Sequence, residues 1–225
     1  MVWRAYPITP VVITLVMAKT IRFKRAKKSF SSFNLKEAMK QLDITDLIAW
    51  EFRVSPAAPS DFFHHRLKRL EVFDLQSYER SKELLIDAFC EEAIQDFPRL
   101  KIWKGANLES DVVSGNVDYL IADRKRYLEA PLLCVVEAKK DDFEQGLAQC
   151  LVEMQACGWQ NAQIGKMIDV LGIVTNGTIW QFYQRLISGQ VYETVPYALN
   201  DLSTILGALH QIFEQCQENL MANPS

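Results

Sequence analysis

The sequence predicts an α/β protein: a helix, three strands, a second helix, a strand pair and a closing helix around a mixed central sheet. Three observations carry that expectation. Leu84, Leu85, Ala88, Phe89, Ala93 and Ile94 recur at helical spacing. The run "PLLCVVEAKK" (131–140) is apolar without alternation, the pattern of a strand buried on both faces. Asn176-Gly177 separates two apolar runs and reads as a tight hairpin turn.

Residues 1–34 form a basic, flexible N-terminal extension in this reading. Arg4, Lys19, Arg22, Lys24, Arg25, Lys27 and Lys28 fall within the first 30 residues, which contain no acid. The remaining 18 Lys and Arg face all 28 Asp and Glu, so residues 31–225 carry a net charge of −10. A basic arm on an acidic body suits phosphate or acidic-lipid contact through the arm; a solvated tail is the plainer reading. Val11–Ala18 imitates a signal-peptide core, but Pro7 and Pro10 interrupt its approach and the run is too short to span a bilayer. Met17, heading "MAKTIRFKRAKK", is the alternative natural start to Met1, with residues 1–16 then an upstream extension. Cys90, Cys134, Cys150, Cys157 and Cys216 show no paired spacing, which argues for a reducing compartment, here the cytoplasm, and against structural zinc.

Residues 35–76 form a helical and loop lead-in, with one short helix expected over Leu35–Trp50 and a Pro-punctuated loop, "VSPAAPSD" (54–61), marking a boundary. The main domain spans 77–218. Ser77 is the expected N-cap of a helix reaching about Phe97 and stopped by Pro98. "LKIWKGA" and "GNVDYLIAD" follow as strands. After the third strand, a helix is expected from Asp141 to a stop at Gly158, with Phe143, Leu147, Cys150, Leu151 and Met154 as its apolar stripe. "VLGIVTNG" and "TIWQFYQ" make the hairpin, and a last helix covers about Asp201 to Gln217, capped by Asn200 or Asp201.

The chemistry gathers at "VVEAKKDD" (135–142). Alternation on a strand puts Glu137 and Lys139 on one face, together with Leu133 and Val135, and turns Ala138 to the other. A carboxylate at the edge of an apolar core is placed to hold a hard divalent cation, with the Ala138 carbonyl as a further oxygen. Asp118, in the otherwise apolar preceding strand, is the natural second carboxylate, because burying it unpaired is costly. Glu-x-Lys is nevertheless a common triplet, and alone it reads as a solvated strand end. His64-His65 lacks carboxylate spacing and reads as surface. Trp103, Trp159 and Trp180 could stack on bases, but aromatics in such patterns usually fill cores.

Together these residues resemble the PD-(D/E)XK nuclease superfamily, and most nearly the nuclease domain of type I restriction enzyme subunits. Gly115-Asn116-Val117-Asp118-Tyr119 is similar to the Asp element, Glu137-Ala138-Lys139 to the (Asp/Glu)-x-Lys element, and Gln149 to the helical Gln. Ile173–Tyr183 resembles the strand pair that follows. The likeness covers roughly residues 77–184, and Val117 stands where the strict motif has Pro. It implies a three-layer, restriction-endonuclease-like core. It also implies Mg²⁺-dependent phosphodiester hydrolysis (Mn²⁺ as substitute), with Asp118 and Glu137 as ligands and Lys139 positioning the attacking water. Gln149 would orient Lys139 or contact substrate, and Glu79 or Glu83, four apart on the leading helix, would supply its acid. The expected partner is nucleic acid, DNA first, with no membrane association and either a homodimer or a larger assembly. The rival expectation is a catalytically silent nuclease-like module that binds nucleic acid or a protein in a restriction or repair assembly.

Overall fold

The computed structural model describes residues 26–75, 77–139 and 142–221. The basic residues through Arg25, the Met17 start and the pair Lys140-Asp141 lie outside the described residues. In chain order the elements are β1 (Lys28–Ser29), α1 (Leu35–Leu42), β2 (Ile48–Ala49), α2 (Asp61–Leu70), α3 (Glu79–Ile94), β3 (Leu100–Glu109), β4 (Val113–Asp123), β5 (Leu132–Ala138), α4 (Phe143–Gln163), β6 (Val170–Thr175), β7 (Ile179–Arg185), β8 (Val191–Glu193), β9 (Tyr197–Ala198) and α5 (Leu202–Met221). The strands form one mixed sheet in the order β1-β4-β5-β6-β7-β8-β2, with β3 against β4 and β9 against β7. Within it β5 and β6 are parallel, which requires a crossover, and α4 supplies it.

The sheet separates two apolar clusters. Phe63 and Leu70 of α2, Ile86 and Phe89 of α3, and Leu209 and Phe213 of α5 pack with Tyr119, Val136 and Phe182 on one side. Ala38 and Leu42 of α1, and Leu151, Val152 and Ala156 of α4, pack with Leu120, Val135 and Val174 on the other. Helices therefore flank both faces of a mixed sheet, as the pattern of elements predicted. All seven residues of β5 are buried, which explains why its sequence does not alternate.

Five local expectations are corrected. Leu35–Trp50 is not one helix: Asn34 and Glu37 form a capping box at its start, but Asp43 at φ 56° ends it after Leu42. The chain then reaches β2, where Ile48 pairs with Tyr192 on the sheet edge. Ser77 does not cap α3; Tyr78 takes the N-cap position, and Ser77 N–H is held by Asp74 instead. The helix ends at Ile94, several residues short of Pro98.

Gly158 does not stop α4, which continues to Gln163. Buried Asn161 explains the continuation, because it accepts from Leu132 N at 2.7 Å and donates to Leu132 O at 2.8 Å, tying the last turns to the sheet. Finally, Leu133 does not share the Glu137 face. Ile121 pairs with Cys134 and Ala122 with Leu132, so Leu133 is the extra residue of a bulge and falls into the opposite cluster. Val135 keeps the Glu137 side.

Candidate active site

The β4–β5 register brings the two expected carboxylates together. Tyr119 pairs with Val136, so the next position in the same register sets Asp118 beside Glu137. Asp118 Oδ2 accepts from Ala138 N at 2.8 Å, which fixes its carboxylate against the end of β5. Glu137 is fully buried, and its Oε1 lies 2.7 Å from Lys139 Nζ, whose side chain is 21% exposed. The ammonium is thus the part of this cluster that meets solvent.

Gln149 ties the group to α4. Its Nε2 donates to Glu137 Oε2 at 2.9 Å and to Glu153 Oε1 at 3.0 Å, while its Oε1 accepts from Lys139 Nζ at 3.3 Å. The reversed amide would aim an oxygen at two carboxyl groups and an NH₂ at an ammonium, so the network itself fixes its orientation. Asp142, Asp118's counterpart on the helix side only in charge, caps α4 through Gln145 N at 2.9 Å and so sets where Gln149 falls. Gly146 lets the helix close in: a Cβ there would sit 2.9 Å from Lys139 Cγ and 2.8 Å from Val174 Cγ1.

Glu153 is a participant that sequence reasoning missed. It is fully buried, and burial first, then repulsion from Glu137 and Asp118, raises its carboxyl pKa well above the ordinary value, against the opposing effect of Gln149. Its Oε2 has no hydrogen-bond partner among the described residues. The available signal was its position four residues after Gln149, one turn along the same helix face.

The leading-helix acid is placed differently. Glu83 Oε2 pairs with Lys104 Nζ at 3.2 Å, and Lys104 also holds Asp87 at 2.9 and 3.0 Å. The Glu83 main-chain oxygen accepts from Tyr119 OH at 3.3 Å, on the α3 side of the sheet rather than the Gln149 side. The side chain of Glu79 lies outside the described residues. Ala138 contributes its N–H to Asp118, and its side chain packs in the α3 and α5 cluster. His65 sits on α2, with Nδ1 2.7 Å from Asp61 O. Trp180 is fully buried against Phe89, whereas Trp159 is 36% exposed.

A divalent cation fits the donor set in type: two adjacent carboxylates offer hard oxygens, and Mg²⁺ ordinarily keeps several waters besides one or two carboxylates. Among the described residues no group of three or more His, Cys, Asp or Glu side chains is arranged as a metal site. The five cysteines are all buried and unbridged. Burial raises the thiol pKa of Cys90 to about 12 and those of Cys134, Cys150 and Cys157 well above the usual value, which disfavours the thiolate at these four. No helix among the described residues is long and apolar enough to cross a membrane.

Fold and site together define an α/β protein with a carboxylate, lysine and glutamine network at the end of its central strands. No family model matches the chain. A stretch of 54 residues, 24% of this chain, is 41% identical to Crinkler effector protein 5 of Phytophthora infestans, and it spans 14% of that protein.

Proposed function

We propose that the protein is a metal-dependent nuclease that hydrolyses phosphodiester bonds, with DNA as the substrate. The observation that carries this reading is that the β4–β5 register sets Asp118 beside Glu137, while Glu137, Lys139 and Gln149 are joined in one network. Asp118 and Glu137 would hold Mg²⁺, or Mn²⁺ in its place, with the Ala138 carbonyl as a further oxygen. The ion would supply charge stabilisation at the phosphoryl oxygens and a more acidic water.

The protein's own groups divide the remaining work. Gln149 and Glu137 hold Lys139 from two sides, so its ammonium orients a water toward phosphorus without losing a fixed position. Asp118 is held in place at the strand end by a main-chain N–H. Glu83, paired with Lys104, acts on this reading as a charge beside the site rather than within it. The basic residues from Arg4 to Arg25 would add phosphate contact that the acidic body lacks, whereas Lys27 and Lys28 are paired with Glu109 and Glu37. Five buried free thiols suit work in a reducing compartment such as the cytoplasm, alone, as a homodimer or within a larger assembly.

The second reading, a catalytically silent module that binds nucleic acid or a protein, draws on one observation: Glu137 is wholly buried with an ammonium already at its oxygen. One experiment separates the two. Purified protein is incubated with supercoiled plasmid, single-stranded DNA and RNA in Mg²⁺, Mn²⁺ or EDTA, beside Glu137→Ala and Lys139→Ala. Metal-dependent cleavage that falls at least about a hundredfold in both variants is expected, the scale of losing a positioned catalytic group. Equal cleavage by the variants would remove the nuclease reading, and binding without cleavage on every substrate would establish the module.

A further inference from the structure

A second site lies at the other end of the sheet. Ala138 pairs with Thr175 at the carboxylate end of β6, whereas Arg185 pairs with Val170 at its opposite end. Five residues of strand separate the two, about 16 Å at the usual rise. There a cavity of about 280 Å³ is lined by Gln155, Trp159, Lys166, Met167, Arg185 and Ile187, among others.

Two of its polar groups are incompletely used. The Arg185 guanidinium makes no hydrogen bond or ion pair among the described residues, and its Nε is buried without a partner. Asp169 reaches it only as a more distant charge, since the Asp169 carboxylate is occupied by Gln184 Nε2 and Ile187 N. Leaving a partly buried cation without an acceptor is costly, and a bound anion removes that cost. Gln155 Oε1 is also buried without a donor, while its Nε2 is committed to Gln41 O at 2.9 Å. That bond fixes the amide orientation, so the site offers an acceptor as well as a cation. Gly158 adds room: a Cβ there would come within 3.1 Å of Arg185 Nη1.

The remaining walls are apolar or aromatic. Trp159 is 36% exposed, Met167 61% and Ile187 50%, unusual for large apolar side chains gathered around one cavity. Lys166 brings a second ammonium. The occupant must therefore join an anion to a flat, partly apolar body that carries an N–H or O–H donor. We propose that this cavity binds a phosphorylated nucleoside: phosphate on Arg185 and Lys166, base on Trp159, and a donor of the base or sugar on Gln155 Oε1. A free mononucleotide and the 5′-phosphorylated end of a strand share that chemistry. The proposal stands independently of the nuclease reading.

Isothermal titration of the full chain in EDTA tests it, with adenosine 5′-monophosphate, a 5′-phosphorylated dinucleotide, adenosine, inorganic phosphate and benzoate as probes. Saturable binding of the mononucleotide or the dinucleotide is expected, at least about tenfold tighter than adenosine or phosphate, the size of one charge-assisted hydrogen bond. The tighter of the two tells whether the source is a free nucleotide or a strand end. Arg185→Gln is expected to weaken binding at least about tenfold. Ile187→Glu, at an exposed position that does not depend on the core, is expected to do the same by setting an anion at the mouth. Binding of neither nucleotide, equal binding of phosphate or adenosine, tighter binding of benzoate, or unchanged affinity in Ile187→Glu would overturn the assignment.

Discussion

Replacing Glu153 by Gln isolates the electrostatic cost of the third carboxyl in the Gln149 network. Burial, with Glu137 and Asp118 adding repulsion, holds the folded-state pKa of Glu153 well above its ordinary 4.5. Between those two values the folded protein binds one proton more than the unfolded chain. Unfolding free energy therefore falls as pH rises through that interval, by about 1.4 kcal/mol per pH unit, and levels off above the folded pKa. Below the unfolded value the stabilisation is fully present. With a urea m-value of about 2–3 kcal/mol/M, the wild-type midpoint drops by about 0.5–0.7 M per unit from this group alone. Glu153→Gln keeps an acceptor for Gln149 Nε2 and removes the titration. Urea melts of both proteins at half-unit steps from pH 5 to 7 make the measurement, and titrating groups remote from Glu153 cancel in the difference. The variant is expected to gain on the wild type steadily as pH rises. A midpoint difference that stays flat across the range would refute the burial argument.

Gly146→Ala sets helix propensity against packing. Ala is favoured by about 1 kcal/mol in a helix interior, but the added Cβ meets Val174 and Lys139 below 3 Å, and overpacking costs about 1–3 kcal/mol. Thermal melts should show a small net loss, whereas plasmid cleavage should fall at least about tenfold because the Lys139 stem is displaced. Asn161→Ala leaves both main-chain groups of Leu132 buried without partners, and equilibrium denaturation should show a loss of about 2–4 kcal/mol.

The Asp118, Glu137, Lys139 and Gln149 grouping was legible because each lies in a segment whose type is plain: strands of buried apolar residues and a long helix. Less was legible where partners distant in sequence decide the outcome. Nothing local marks Glu153 in the sequence, and only the fold buries it beside Gln149. Glu83 occupied the right helix, but Lys104, brought across by the β3–β4 pairing, holds its carboxylate. The short strands β1, β2, β8 and β9 carry two or three residues each, too few for a period, and exist through their pairing alone.

By itself the sequence determined the order of the main elements, the fully buried central strand and the hairpin at Asn176-Gly177, because apolar period and turn chemistry are local properties. It also determined that Glu137 and Lys139 share a face, since alternation along a strand needs no partner. Only the tertiary structure decided the rest. The bulge at Leu133 moved one side chain across the sheet, Asn161 carried α4 past Gly158, and the β4–β5 register set Asp118 against Ala138. The bulge rests on strand pairing between residues 10 and 13 positions apart, and the other two on hydrogen bonds spanning 20 and 29, and no local pattern records such contacts.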